Sequence, residues 1–349
     1  MTKNLTIKNF KSIKEMNIEC KRINLFIGKP NVGKSNILEA LSIFDLPYAI
    51  NQGLILNDLI RHTNAKNFFY DNQTKDNATV YMDSNSVTMR YDNSSQSVEV
   101  FCAPSHAEIN YYIYDDTENF SKLLQRFIKT NKNIKYFYSN QSYMKFFQKY
   151  SSNIRYYVFN KRSQFNLAST DYLLPPYGQN LFSIIRENTQ VSDEVAEYFL
   201  EYGLQWAYDE EANLFLSQKQ IKNTIYKYPF SSIADTLQRM IFYTTAIETN
   251  KNCILVFEEP ETNSFPPYTR DLAYKIAANQ ENQYFISTHS PYLLLNLIEN
   301  TPKDELNIFV TYYENYETKV KALSSDEIKS LLDDSVDIFF NLDKFVAGA

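Results

Sequence analysis

Apolar residues recur with two different periods along this chain, and together the two periods predict a mixed α/β fold. Short, predominantly apolar runs at residues 23–27, 253–257 and 283–287 are typical of parallel strands that are buried on both faces. Apolar positions at helical spacing over residues 36–44 predict a helix directly after the first run. The pattern therefore favours a mixed central sheet flanked by helices.

Alternation of apolar and polar residues predicts further strands outside this core. Residues 5–10 and 13–18 form the pattern of an antiparallel hairpin, and residues 78–103 that of a β-meander beside the main sheet. Shorter patterns predict strands at 154–159, 214–216, 224–228, 307–313 and 318–323, and a helix at 326–332.

A helical lobe is predicted to interrupt the core. Residues 118–150 and 181–205 carry apolar positions at helical spacing, and the first of these segments is rich in lysine and aromatic residues. Those side chains either contact a partner or nucleic acid, or form a solvated face and a small core. We expect a core of residues 1–50 and 225–349, with a helical insertion at 110–225.

The octapeptide between the first apolar run and its helix fits the phosphate-loop pattern G-x-x-x-x-G-K-[ST]. Its two glycines free the backbone to surround an anion with N–H groups, and the positive end of the helix faces the same point. We expect Lys34 to reach the β- and γ-phosphates of ATP, and the Ser35 hydroxyl to bind Mg²⁺. The predicted nucleotide-binding residues here are Gly28, Lys29, Pro30, Asn31, Val32, Gly33, Lys34, Ser35 and Asn36.

A second candidate site lies where the apolar strand 253–257 runs into Glu258-Glu259-Pro260-Glu261. Ligands bind at the carboxyl ends of the strands in open α/β sheets, and acids grouped there repel one another unless a cation is present. A magnesium–nucleotide complex supplies that cation. We expect Glu258 to hold magnesium through water and Glu259 to orient and deprotonate the attacking water.

A histidine follows the next apolar strand, in the segment Thr288-His289-Ser290-Pro291. It has the same relation to the sheet as the acids, and we expect it to sense the γ-phosphate. His62 and His106 have no ligand-spaced partner and are predicted to be solvent-exposed.

Two further segments are candidates for contacts to the nucleotide, on weaker sequence patterns. Pro229–Arg239 predicts a helix start in which Ser231 or Ser232 is the N-cap, and the N–H groups there form a candidate anion site. The turn Phe10-Lys11-Ser12 in the first hairpin is either an ordinary edge turn or a contact to the nucleotide base.

Composition narrows the class of protein. The chain of 349 residues is long enough for one large α/β domain or two smaller ones, and its net charge of −6 argues against a uniformly basic nucleic-acid surface. Three widely spaced cysteines without a C-x-x-C pair suit a reducing cytoplasm and indicate neither a disulfide framework nor a metal cage. No signal-peptide core is present, and no apolar run approaches the roughly 20 residues of a membrane helix.

The order of these motifs resembles the ABC-type ATPases of the RecF/SMC-like branch. Within that branch it is similar to the overcoming-lysogenization-defect (OLD) group and to ATPase subunits of bacterial anti-phage systems. The resemblance covers roughly residues 1–45 and 225–298. It implies a head that forms a homodimer or higher oligomer around ATP, in which the signature helix of one subunit closes the nucleotide site of the other.

The resemblance also assigns roles to residues. Lys34 and Ser35 match the Walker A pair, Glu258 and Glu259 the two Walker B acids, and His289 the switch histidine. Ser231 or Ser232 matches the signature serine, and Gln164 matches the Q-loop glutamine.

The chain departs from the family pattern in two ways. Glu258 stands where the magnesium acid is usually Asp, and Ile233-Ala234 replaces the signature glycines. Closure of the dimer is therefore expected to be weak or slow, or to need a partner. OLD nucleases also continue into a Toprim domain, so any nuclease or toxin is expected to be a separate effector protein.

The sequence leaves three functions open. The first is a switch ATPase that controls an effector, and the second is a RecF-like DNA repair or loading ATPase. The third is a scaffold locked by nucleotide that hydrolyses ATP very slowly. Turnover with and without DNA separates them.

Overall fold

The computed structural model describes residues 1–46, 58–93, 97–103, 109–114, 153–161, 171–212, 214–333 and 338–346. The two helices predicted within 118–150, together with His106 and Gln164, lie outside these residues.

The strands are β1 Asn4–Phe10, β2 Ile13–Glu19, β3 Ile23–Ile27, β4 Ala78–Met82, β5 Asn85–Asp92, β6 Ser97–Ala103, β7 Ile109–Tyr114, β8 Ile154–Tyr157, β9 Gln205–Asp209, β10 Leu214–Ile221, β11 Thr224–Pro229, β12 Ile254–Glu258, β13 Gln283–Ser287, β14 Leu306–Glu314 and β15 Glu317–Ala322. The helices are α1 Lys34–Ser42, α2 Leu181–Glu187, α3 Thr189–Leu200, α4 Asp235–Thr249, α5 Pro266–Ala278, α6 Pro291–Asn300, α7 Ser325–Asp333 and α8 Leu342–Val346.

The central sheet is mixed, as the sequence predicts, and its strand order is β15-β14-β3-β13-β12-β8. The five strands from β14 to β8 are parallel, and β15 pairs with β14 in the antiparallel sense. Every residue of β3 and of β13 is buried. This explains why both strands are predominantly apolar, because both faces of each strand are covered.

The predicted hairpin and meander belong to one antiparallel sheet, with the order β2-β1-β4-β5-β6-β7. Leu5 pairs with Ile18 in the hairpin, and Leu5 also pairs with Met82 of the meander. The sheet is therefore larger than predicted, because the hairpin joins the meander and β7 extends it.

Helix α1 lies between the two sheets and contacts β8, β12 and β13 on one side and β1 on the other. Phe26 and Phe285 of the central sheet face α1 and the antiparallel sheet, whereas Leu25 and Ile286 face the helices on the opposite side. The α/β fold class predicted from the sequence is confirmed. Its layers hold the start of α1 at the carboxyl edge of the central sheet.

The described part of the predicted lobe contains helices α2 and α3 and a three-stranded sheet of order β11-β10-β9. The helical pattern predicted up to residue 205 was wrong at its end, because the last residues before Gln205 form a turn at Gly203 and β9 begins at Gln205. The division at 110–225 stays a prediction, and β8 within that range pairs with β12 of the central sheet. No helix among the described residues is long and apolar enough to cross a membrane.

Candidate nucleotide site

Four neighbouring strands of the central sheet end at the same edge, and their ends carry most of the predicted site. The phosphate loop follows β3, His289 follows β13, the two acids end β12, and Val158 follows β8. Side chains from all four strand ends line one cavity of about 640 Å³. Among them are Lys34, Ser35, Glu258, Glu259 and His289, so residues distant in the sequence share one cavity.

The two glycines of the phosphate loop are required by close neighbours. A Cβ atom on Gly28 would lie 2.2 Å from the carbonyl oxygen of Thr311. Gly33 has φ of +99°, and a Cβ atom there would lie 2.0 Å from Oγ1 of Thr318. Gly33 is also the N-cap of α1, so the loop passes directly into the helix. The loop is thus shaped by β14 and β15 behind it.

Lys34 folds back over the loop. Its Nζ donates hydrogen bonds to the carbonyl oxygens of Gly28 at 3.1 Å and Lys29 at 2.9 Å. Burial lowers the pKa of the Lys34 ammonium to about 8, while Glu259 and Glu258 act in the opposite direction. The ammonium is therefore held at the centre of the loop by carbonyl oxygens that an anion could replace.

The remaining loop residues divide into two groups. Pro30, Asn31 and Asn36 line the cavity, and Nδ2 of Asn36 donates to Oγ of Ser12 at 2.7 Å. The other three, Gly28, Lys29 and Val32, are not part of the cavity lining. Lys29 pairs with Asp343 at 2.7 Å, and the carbonyl of Val32 accepts a hydrogen bond from Thr318 at 2.9 Å.

Glu259 and His289 form a pair across adjacent strand ends. Nε2 of His289 lies 3.1 Å from Oε1 of Glu259, and this hydrogen bond is the main reason that the pKa of Glu259 is lowered. The backbone N–H of Glu259 donates to the carbonyl of Ser287 at 3.0 Å. Glu259 is therefore an ionised carboxylate near neutral pH, fixed next to the histidine.

Glu261 links the same two strand ends through hydrogen bonds. Its Oε1 accepts hydrogen bonds from the backbone N–H of His289 at 3.2 Å and from the hydroxyl of Thr288. The side chain is buried, and burial raises the pKa of Glu261. The segment after β13 is thus tied to the segment after β12.

Glu258 is held through both carboxylate oxygens. Oε1 lies 3.2 Å from Nη2 of Arg61, and Oε2 accepts a hydrogen bond from the hydroxyl of Tyr156 at 2.7 Å. Arg61 also pairs with Glu39 of α1, whose other oxygen pairs with Lys11. The predicted metal acid therefore belongs to a network of charged groups that links α1, β8 and β12.

The prediction that Ser231 or Ser232 caps the following helix was wrong. Both serines lie in a 3₁₀ turn, Phe230–Ser232, and α4 begins at Asp235 with Ala234 as its N-cap. The hydroxyl of Ser232 donates to the carbonyl of Pro229 at 2.7 Å, and the Phe230 side chain is buried. Both serines are exposed, and neither lines the cavity.

A second cavity of about 520 Å³ adjoins the first and shares Lys11 and Arg61 with it. Its lining includes His62, which was predicted to be an ordinary surface residue. His62 is half-buried, its Nδ1 lies 2.9 Å from the carbonyl of Ile60, and its ring packs on Phe68. Lys11 of the Phe10–Ser12 turn lines both cavities, so this turn lies where the two cavities meet.

The sequence model of a protein family described as "AAA ATPase domain" matches residues 1–242, which is more than half of the chain. The chain belongs to this family. It is therefore an ATP hydrolase. No curated protein matches the chain.

Solved structures of SMC heads are similar to this ATPase at low identity. A structure described as the SMC head bound to the C-winged helix domain of ScpA has 13% identity and a TM-score of 0.49, over 93% of this chain and 98% of that one. The SMC head domain from Thermotoga maritima has 12% identity and a TM-score of 0.42, over 93% and 99%. An SMC head with an extended coiled coil, bound to the C-terminal domain of ScpA derived from Pyrococcus furiosus, has 11% identity and a TM-score of 0.49, over 96% and 99%. Similarities this distant do not bear on the activity or partners of this ATPase.

Sequence patterns missed several residues in and around the candidate site. Arg239 and Tyr243 of α4 line the cavity, and the Arg239 guanidinium lies 4.6 Å from the ring centre of Phe159. Arg61 and Tyr156 belong to no motif. Glu39, which pairs with Arg61, could have been noticed in the sequence, because it is a charged residue among the apolar positions of α1.

Proposed function

We propose that this ATPase is an ABC-type, OLD-like switch subunit of the cytoplasm that dimerises around ATP and controls an effector protein, in anti-phage defence. The observation that carries the biochemical part is the single cavity that joins the phosphate loop, Glu258, Glu259 and His289. The switch, the effector and the defence role rest on the resemblance in motif order, which is an argument by analogy.

The residues that line the cavity fit a nucleoside triphosphate with bound magnesium. The two glycines let the loop backbone pass closely against Thr311 and Thr318, and Lys34 is a cation whose present partners are carbonyl oxygens of the loop. The hydroxyl of Ser35 and the carboxylate of Glu258 are oxygen donors, which magnesium prefers. Bound magnesium would supply the positive charge that the two neighbouring acids need.

We assign the chemical steps to this chain's own residues as follows. Lys34 turns from the loop carbonyls to the β- and γ-phosphates of ATP. Glu259 accepts a proton from the attacking water as that oxygen bonds to the γ-phosphorus and the bond to the leaving ADP oxygen breaks. His289 holds Glu259 through the 3.1 Å contact and so keeps the carboxylate in one orientation.

The second cavity gives the nucleoside a place in this proposal. It adjoins the phosphate cavity through Lys11 and Arg61, so a single ligand can extend across both. We assign the ribose and base to the cavity next to His62, with the Phe10–Ser12 turn as the boundary between the two ligand parts.

The proposed dimer explains the position of the two serines. Ser231 and Ser232 are exposed and outside the cavity of their own subunit, as expected for groups that act on a neighbour's nucleotide. Asp235 in the first turn of α4 pairs with Arg239 at 3.1 Å, which moderates the anionic charge at that helix start.

Calorimetry of ATP binding tests the nucleotide site. Lys34→Ala is expected to weaken ATP binding by about 10- to 100-fold, because a charge-assisted contact to the phosphates is lost. Lys251→Ala is the matched control, since Lys251 lies before β12 at the opposite edge of the sheet and is mostly exposed. Equal affinity in the two variants would show that the loop is not the ATP site.

A further inference from the structure

Glu258 differs from an aspartate by one methylene group, and the structure shows what restrains the longer side chain. Its Oε2 accepts a hydrogen bond of 2.7 Å from the hydroxyl of Tyr156. Its Oε1 lies 3.2 Å from Nη2 of Arg61. The two oxygens thus have different partners, one of them neutral and buried and the other cationic and exposed.

The register of the central sheet places the tyrosine there. Tyr156 of β8 pairs with Val256 of β12, and Glu258 lies two residues further along the same strand. Side chains alternate between faces, so Tyr156, Val256 and Glu258 lie on one face of the sheet. Val256 and Tyr156 belong to the core that packs against α1. Since β8 and β12 are both fixed by strand pairing, the distance between the hydroxyl and the carboxylate is set by the sheet.

Burial makes Tyr156 a rigid hydrogen-bond donor. Only 4% of the residue is exposed, so its ring is enclosed by the core that packs against α1. Arg61 has the opposite character, because 64% of its side chain is exposed and water can replace its contact with Glu258. Of the two contacts to Glu258, the one with Tyr156 is therefore the more rigid.

We propose that Tyr156 is a positioning residue for magnesium binding: it holds Oε2 of Glu258, so that Oε1 is the oxygen offered to the cation. This inference rests on the proposed function, in which Glu258 is the magnesium acid. Tyr156 removes the rotational freedom that the additional methylene gives Glu258 relative to Asp. Arg61 occupies the oxygen that the cation would use, so the two cations compete for Oε1.

The test compares Tyr156→Phe with Tyr157→Phe. Both changes remove one buried tyrosine hydroxyl from β8, but the Tyr157 hydroxyl contacts Leu173 and Asn250 and not Glu258. The readout is the Mg²⁺ concentration that gives half-maximal binding of a fluorescent, non-hydrolysable ATP analogue, so that turnover does not enter. Binding of the analogue in EDTA and the midpoint of urea unfolding are measured for each variant.

Tyr156→Phe is expected to raise the half-saturating Mg²⁺ concentration by about 10- to 100-fold, as loss of a hydrogen bond to a metal-ligating carboxylate typically does. Binding in EDTA is expected to stay unchanged. Tyr157→Phe is expected to lower the unfolding midpoint and leave the Mg²⁺ dependence as in the wild type. An unchanged Mg²⁺ dependence in Tyr156→Phe, or an equal change in both variants, would overturn the inference.

Glu258 variants separate this inference from the proposed function. Glu258→Gln is expected to raise the Mg²⁺ requirement strongly. If it does and Tyr156→Phe does not, only the positioning role fails; if Glu258→Gln has no effect, the magnesium role of Glu258 itself fails. In Glu258→Asp the carboxylate is withdrawn from the tyrosine, so adding Tyr156→Phe should cause little further change. Full additivity of the two changes would also contradict the inference.

Discussion

Glu259 combines an unusual backbone with a restrained side chain. Its φ is +43°, a left-handed conformation that is uncommon for a bulky residue and is concentrated at functional sites. The turn is held by the hydrogen bond from its N–H to Ser287, and the carboxylate by His289. A residue held in such a conformation is expected to have a role that depends on its direction, as a general base does.

Replacing Glu259 by Gln keeps the size of the side chain and removes the carboxylate that we propose as the general base. Hydrolysis is expected to slow by about 10²- to 10⁴-fold, because general-base catalysis typically contributes that factor. Binding of ATP is expected to persist, since Lys34 and the loop are intact. Glu281→Gln, at an exposed position before β13, is the control and should hydrolyse ATP like the wild type. Wild-type turnover in Glu259→Gln would place the base elsewhere.

Sequence motifs could predict the residues whose chemistry is tied to a fixed local spacing. Lys34 and Ser35 follow from the phosphate-loop pattern, and the acids and His289 from apolar strands that end in polar residues. Arg61 and Tyr156 could not be found in this way. Their proximity to Glu258 depends on the pairing of β8 with β12 and on the path of the chain after α1, which no local pattern encodes.

At the scale of elements, the phosphate loop depends on a support that comes from the far end of the chain. Oγ1 of Thr318 donates to the carbonyl of Val32 at 2.9 Å and lies 2.6 Å from Oγ of Ser12. The backbone N–H of Thr318 donates to the carbonyl of Ser12 at 2.7 Å. The start of β15 and the turn between β1 and β2 therefore fix the loop together.

Gly33→Ala tests this support, with Gly203→Ala as the matched control. Both glycines have positive φ, but a Cβ atom meets Thr318 and Ser12 at Gly33 and nothing within 4 Å at Gly203. Gly203→Ala is expected to cost about 1–2 kcal/mol from backbone strain alone. Gly33→Ala should lower the free energy of unfolding more than this and should also weaken ATP binding.

Urea unfolding and calorimetric ATP titration measure the two effects. Gly203 lies in the turn before β9, away from the cavity, so its variant should bind ATP like the wild type. Equal losses of stability in the two variants would mean that Thr318 moves aside without cost, and wild-type ATP affinity in Gly33→Ala would mean that the loop tolerates the displacement.

The start of α4 shows why helix boundaries are hard to predict from capping residues. Ser231 and Ser232 followed by an acid are typical of an N-terminus, and Asp235 is indeed in the first turn. Ile233 nevertheless adopts an extended conformation and Ala234 a non-helical one, and buried Phe230 anchors the 3₁₀ turn before them. The N-cap is thus Ala234, two residues after Ser232, and the helix begins only after the turn that Phe230 anchors.

At the scale of the whole molecule, the site is a consequence of strand order. β3, β13, β12 and β8 are neighbours in the sheet although β3 and β13 are separated by most of the chain. Local patterns could predict that each strand exists and is buried, and so the α/β class. They could not predict which strands are adjacent, since all four are apolar and parallel.

One subunit supplies only part of the site that we propose. The phosphate loop, Glu258, Glu259 and His289 line one cavity, whereas Ser231 and Ser232 are exposed outside it. The hydrogen bonds at the start of α4 begin with the N–H of Leu237, which donates to the carbonyl of Ala234 at 3.0 Å. The N–H groups of Asp235 and Thr236 precede it, and we propose that they face an anion on another subunit. Hydrolysis is therefore expected to rise with protein concentration until the dimer is fully formed.

Mixing two inactive variants tests whether sites are shared between subunits. Lys34→Ala removes the loop cation, and Ser231→Ala with Ser232→Ala removes the two hydroxyls. In a mixed dimer the loop and acids of the double variant would meet the intact serines of the Lys34→Ala subunit. One complete site per mixed dimer is expected, with partial recovery of ATP hydrolysis measured as phosphate release.

A second mixture provides the control. Lys34→Ala and Glu259→Gln affect the same half of the site, because both residues line one cavity of one subunit. A mixed dimer of these variants contains no site with both residues intact, so no recovery is expected even when subunits exchange. Recovery in the first mixture and not in the second supports shared sites. If neither mixture recovers activity while subunit exchange is demonstrated by labelled chains, each subunit hydrolyses ATP without the serines of its neighbour and the shared-site arrangement is wrong.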